Sequence, residues 1–152
     1  QGNNWSYKYA RRQWSLFDNE MLKFRWLGLF DREMISMEKE HQLLSTPEIY
    51  LKLANETDQV LAFERANLLL VFNFNPDKSF TDYGIPVHPG KFRTILSTDN
   101  PEFGGFNRVD ESVIHYSHAI PGSRDIHQIK LYIPARTAIV LKRQAIKSVY
   151  EA

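Results

Sequence analysis

The pair Thr46-Pro47 divides this chain into two halves that follow different hydrophobic periods. Upstream, Met21, Leu22, Phe24, Leu27, Phe30, Met34, Ile35 and Met37 recur at the spacing of one helix face. Asp31, Arg32, Glu33, Glu38, Lys39 and Glu40 supply its wet side. The S-x-x-D run from Ser15 to Asp18 has the form of a helix start, so the pattern predicts a helix over 18–41. Gly28 is a soft point in it, costing about 1 kcal/mol against Ala. Trp26 and Leu29 widen the apolar stripe beyond what a short β domain covers.

Downstream the pattern turns to β. Thr46-Pro47-Glu48 reads as an N-cap with Pro at the first helical position, which predicts a short helix over 48–53. Strands follow at 60–65 and 68–74, separated by Ala66-Asn67, where Asn tolerates positive φ. Same-face spacing places Phe72 and Phe74 in the core. Asn75-Pro76-Asp77 is a turn, and Pro89-Gly90-Lys91 reads as a hairpin turn. In 92–96, Phe92, Thr94 and Leu96 alternate with Arg93 and Ile95. Gly104-Gly105 calls for backbone freedom, 113–116 is a short strand, and 129–133 with 137–142 form a closing pair around Pro134-Ala135. Roughly seven short strands with frequent turns make the chain mainly β, an antiparallel sandwich preceded by a helical segment.

Composition excludes several function classes. A chain of 152 residues buries enough surface to need no staple. The absence of cysteine removes disulfides, thiolate metal sites and a Cys nucleophile, and it favours a reducing, cytoplasmic location. A net charge of +1 gives no global field for nucleic acid or membrane, and no apolar run reaches the length of a span. Gln1 stands in place of an initiator Met, so the true N-terminus is expected further upstream.

Three constellations bear on chemistry. Trp5, Tyr7, Tyr9, Arg11, Arg12 and Trp14 form a dense aromatic and basic cluster. Packing, sugar contact and single-stranded nucleic acid all use these residue types. His115 and His118 fall on opposite faces of a strand, and no H-E-x-x-H run accompanies them, so no metal is expected. Glycoside chemistry in a retaining enzyme needs two carboxyl groups about 5–5.5 Å apart. Glu64, Asp82, Asp99 and Asp110 are candidates, but nothing in the sequence brings two into one pocket, and Asp82 and Asp99 adjoin turn signals. Seryl nucleophile and phosphate-loop motifs are absent. No catalytic residue, cofactor or metal is expected here.

Several stretches together resemble the C-terminal end of glycogen (1,4-α-glucan) branching enzymes of the α-amylase superfamily. They are Tyr7-Lys8-Tyr9-Ala10-Arg11-Arg12-Gln13, Phe30-Asp31-Arg32-Glu33-Met34, Ala62-Phe63-Glu64-Arg65-Ala66, Phe72-Asn73-Phe74, Thr81-Asp82-Tyr83 and Phe103-Gly104-Gly105. The resemblance runs from Gly2 to about Leu141. It implies that residues 1–45 are the end of a catalytic (β/α)8 barrel, its last loop and helix. Residues 46–152 would then be the C-terminal β-sandwich domain of the α-amylase type. The barrel's three catalytic acids would precede Gln1, leaving this chain inactive alone. The implied partners are α-glucan (glycogen), through the full-length enzyme, and the catalytic barrel in cis. Glucan contacts would come from Tyr7, Tyr9, Arg11, Arg12 and Trp14, on a loop at the barrel's open face. A helix at 18–41 without its barrel is expected to self-associate or to fold back on the sandwich, with Met21, Phe24, Trp26, Leu29 and Phe30 at risk. Asn75 stands where the family pattern has His, and 113–128 fits the pattern poorly. The other readings are an independent carbohydrate-binding sandwich module and a protein- or nucleic-acid-binding module.

Overall fold

The computed structural model of the protein describes residues 13–123 and 125–145. It holds three layers: a helix, a six-stranded sheet and a three-stranded sheet. The helical layer comprises α1 (Trp14–Asp18) and α2 (Phe24–His41). The continuous helix expected over 18–41 is interrupted at Asn19, whose backbone is extended and whose Oδ1 accepts the Met21 N–H at 3.0 Å. Gly28 is a point of close approach. A Cβ there would lie 2.0 Å from Cε2 of Phe17, so the missing side chain lets α1 dock on α2.

Nine strands follow among the described residues: β1 (Tyr50–Asn55), β2 (Val60–Arg65), β3 (Leu68–Asn73), β4 (Phe80–Val87), β5 (Lys91–Ser97), β6 (Ile114–Tyr116), β7 (His118–Ala119), β8 (His127–Ile133) and β9 (Thr137–Gln144). The larger sheet runs β1-β2-β3-β9-β5-β6 and the smaller β4-β8-β7, and every pairing is antiparallel. The helix expected over 48–53 is replaced by β1. Thr46 Oγ1 donates back to Gln42 O at 3.1 Å, closing α2 instead of capping a new helix, and the segment beyond Pro47 pairs with β2.

Two apolar clusters account for this order. Between the sheets, Val60, Ala62, Leu69, Val71, Ile85, Val87, Phe92, Ile129, Leu131, Ile133, Ile139 and Leu141 are all buried. Between the larger sheet and α2, Leu68, Leu70, Leu96 and Val140 are buried, with Phe30, Met37, Leu43, Phe63, Phe72 and Phe103 packed around them. β3 contributes to both clusters, so Leu68 to Val71 read as an unbroken apolar run. In β5 a bulge between Thr94 and Leu96 shifts the register, pairing Thr94 with Leu141 and Leu96 with Val140. Phe92 therefore faces the inter-sheet core, and Leu96 faces the helix.

Two expected hairpins are inter-sheet crossings. β8 pairs with β4 in the smaller sheet and β9 lies between β3 and β5 in the larger, so Pro134–Arg136 carries the chain across the sandwich. Asn73 holds that crossing from beneath, its Nδ2 donating to Ile133 O at 3.1 Å and Pro134 O at 3.0 Å. Pro89-Gly90 likewise joins β4 to β5 across the sheets. Ala66 and Asn67 both take positive φ, 51° and 60°, in the tight β2–β3 turn. Phe72 and Phe74 do share a face, but it is the outer one: Phe74 is 62% exposed and stacks at 5.7 Å on Phe72, which stacks at 6.0 Å on Phe63.

Candidate functional site at the helix–sandwich junction

Of the five residues expected to contact glucan, Tyr7, Tyr9, Arg11 and Arg12 lie outside the described residues. Trp14 opens α1 and is 63% exposed. Phe17, one turn later, anchors that short helix on Gly28. A cleft of about 410 Å³ opens beside α2, lined by Leu22, Arg25, Trp26, Arg32 and Phe103 among others. Its floor is fixed by aromatic packing. The Trp26 ring presses on Gly104, where a Cβ would fall 2.3 Å from Cε3, and Phe30 meets Phe103 edge-on at 5.3 Å. Glu20 holds Arg25 at 2.9 Å.

Among the described residues, the stretch at 62–66 and the Asn75 turn serve as joints. In Ala62-Phe63-Glu64-Arg65-Ala66, alternation puts Glu64 on the inner face and Arg65 on the helix side. The buried Glu64 carboxylate accepts the His88 N–H at 2.9 Å, meets His88 Nδ1, and has Lys52 Nζ at 3.5 Å. Arg65 donates from Nε to Thr46 O at 2.8 Å and from Nη2 to Leu44 O at 3.0 Å, binding the linker to the sheet. Asn75 is buried, and its Oδ1 accepts the N–H groups of Asp77 and Lys78 at 3.0 and 2.9 Å. Its side-chain oxygen is consumed in closing the turn.

The carboxylates considered as a catalytic pair are engaged separately. Glu64 serves His88 and Lys52. Asp99 accepts from Arg108, Nε at 3.0 Å and Nη2 at 2.6 Å. Burial pushes its pKa up, but the Arg108 hydrogen bonds outweigh that and hold it below the usual carboxylate range. Asp110 binds Ser112 and is likewise lowered, chiefly by that hydroxyl. Asp82 sits exposed at a β4 bulge with φ 51°. Burial raises the Tyr83 phenol, helped by its hydrogen bond to Asp58 at 2.8 Å. His115 and His118 belong to different sheets, and burial lowers the His115 imidazole. Among the described residues, no group of three or more His, Cys, Asp and Glu is placed to hold a metal ion. None of their helices is long and apolar enough to cross a membrane. The arrangement can hold elements together and offer polar, aromatic clefts to a ligand.

These features define an antiparallel sandwich domain carrying a helix on its larger sheet. The chain belongs to the family described as the α-amylase C-terminal all-β domain, which matches residues 50–144. It is similar to the 1,4-alpha-glucan-branching enzyme of Candida glabrata, 49% identical over 144 residues, covering 94% of this chain and 20% of that protein. The branching enzyme of Rhizophagus irregularis is 42% identical over 141 residues, covering 92% of this chain and 21% of that one. The chain thus spans about a fifth of the length of these curated relatives. Among solved structures, an alpha-amylase from H. orenii matches with a TM-score of 0.48 at 17% identity, over 93% of this chain and 25% of that one.

Proposed function

We propose that this chain is the C-terminal part of a 1,4-α-glucan branching enzyme acting in glycogen biosynthesis in the cytoplasm. Residues 1–45 close the catalytic barrel and 46–152 form the C-terminal sandwich. The whole enzyme would cut an α-1,4 bond, hold the glucan segment covalently and transfer it to a 6-hydroxyl. The chain itself supplies the seat on which the last barrel helix rests.

The observation that carries this reading is the 49% identity over 144 residues, a stretch too long to omit either α2 or the sandwich. The geometry of α2 supports it. Phe30 and Met37 turn to the sheet, while Phe24, Leu27 and Ile35 remain 56%, 69% and 48% exposed. A helix with two apolar sides joins two bodies, and the second body would be the barrel. Glucan contact by Tyr7, Tyr9, Arg11, Arg12 and Trp14 belongs to the same proposal. In a full-length enzyme, Tyr9→Ala or Arg12→Ala would lower activity with the fold retained. Loss of iodine staining of amylose tests the division of labour: the chain alone leaves the stain unchanged. Turnover by the pure chain would refute the assignment of chemistry to a separate barrel.

A further inference from the structure

At one end of the sandwich the loops around Pro76, Thr98–Arg108 and Arg136 enclose a cleft of about 480 Å³, within the range of small-ligand sites. Phe106 stands on its rim, 79% exposed, with the Arg108 guanidinium 5.1 Å from its ring centroid. The Asp99 side chain, 1% exposed, fixes both. It accepts from Arg108 Nε at 3.0 Å and Nη2 at 2.6 Å, from the Phe106 N–H at 3.4 Å, and from the Arg108 N–H. Gly104 takes φ 78°, and at Gly105 a Cβ would come within 2.1 Å of the Asp99 backbone, so this loop can close only with glycines. Across the cleft, Arg136 is pinned from Nε to Pro76 O at 2.8 Å, yet its side chain stays 72% exposed. Asp77, 85% exposed, lies 3.9 Å from it.

We infer that this cleft is a glucan subsite distinct from the N-terminal aromatic cluster, taking a short α-1,4-linked glucose segment. The choice of sugar rests on the branching-enzyme reading. A pyranose presents one apolar C–H face and a rim of adjacent hydroxyls. The open face of Phe106 stacks on the first, Arg136 donates to neighbouring hydroxyls, and Asp77 accepts from them. The ring's backbone and both guanidiniums are anchored before any ligand arrives, so little ordering is needed on binding. A phosphate would meet the Asp77 carboxylate, and nucleic acid would need a basic stripe that a net charge of +1 does not provide.

The test is a titration of the intact chain with maltoheptaose, followed by amide NMR. The expected result is saturable shifts at Gly104, Gly105 and Phe106. Phe106→Ala should weaken binding at least about fivefold, in line with the loss of one stacked ring. Arg136→Ala should weaken it too. Both side chains are exposed, so an unchanged melting temperature checks each variant. Absence of shifts at these amides, or shifts confined to other residues, overturns the subsite, with or without the variants. Its failure is separable from that of the branching-enzyme reading. An active longer enzyme whose C-terminal cleft ignores maltoheptaose sinks the subsite alone. Binding here in a protein whose barrel fusion does not branch glucan leaves the subsite standing and sinks that reading.

Discussion

Asp99 shows how a single carboxylate organises a whole loop. Its side chain takes hydrogen bonds from the Arg108 side chain and from two backbone N–H groups. Asp99→Ala should cost about 3 kcal/mol, because it strands a partly buried guanidinium and two amides. Chemical denaturation measures it, and a loss below 1 kcal/mol would show that water replaces the carboxylate. Its pKa is lowered on folding. This contribution is therefore fully present above the usual aspartate value, about 3.9, and is lost as pH falls through the lower folded value. The melting temperature of the wild type should fall over that acidic window, and Asp99→Asn should blunt the fall. The phenylalanines make a second contrast. Phe92 is fully buried and Phe92→Ala should cost about 3–5 kcal/mol, whereas the exposed Phe74 should cost less than about 1 when cut to Ala. Sequence alternation grouped Phe72 with Phe74 correctly. It could not say which face of β3 was the core, because Leu68 to Val71 are buried on both sides. Asp99 was legible only as a turn residue, since its partner Arg108 follows nine positions later across a loop of no regular period.

At the scale of elements, the two clusters predict how the chain comes apart. The inter-sheet cluster contains no residue of α2, whereas the second depends on Phe30, Met37 and Leu43. Deleting residues 1–45 should leave a cooperative thermal transition at a lower temperature, with increased binding of an apolar dye to the bared Leu68, Leu70, Leu96 and Val140. A broad, non-cooperative melt would show that α2 is part of a single core. The residues at risk of exposure also need revision. Phe30 is packed against Phe103, and the open stripe is carried by Phe24, Leu27 and Ile35, with Met21 beside it at 93% exposure. Strands were readable wherever burial alternates, as in β2 and β8. What failed was pairing: a proline turn looks alike whether the next strand returns to the same sheet or crosses to the other. Only the partners, decided by distant residues such as Asn73 beneath Pro134, separate the two. The helix expected over 48–53 failed for a related reason, since the Thr46 hydroxyl served the end of α2 rather than the start of a new helix.

At the scale of the molecule, α2 turns an apolar stripe of Phe24, Leu27 and Ile35 to the outside. We expect the isolated chain to self-associate through it at raised concentration. Light scattering should show a mass that falls to the monomer in Leu27→Asp or Ile35→Asp, and a monomeric wild type at all concentrations would remove this expectation. The same stripe is what the proposed barrel would cover. The family was legible in the sequence through continuous motifs, and one of them holds a joint: Arg65 binds the Thr46 and Leu44 carbonyls. The cleft at the end of the sandwich was not, because it is assembled from loops far apart in the chain. The central claim is tested most directly by a fusion. The upstream four-fifths of the Candida glabrata relative would be joined to this chain at the position equivalent to Gln1, and glucan branching measured beside the upstream part alone. The account predicts that the fusion branches amylose at a rate well above the truncated protein, and that Leu27→Asp lowers it. A folded fusion no more active than the truncated protein would contradict the claim that this chain is the barrel's C-terminal seat.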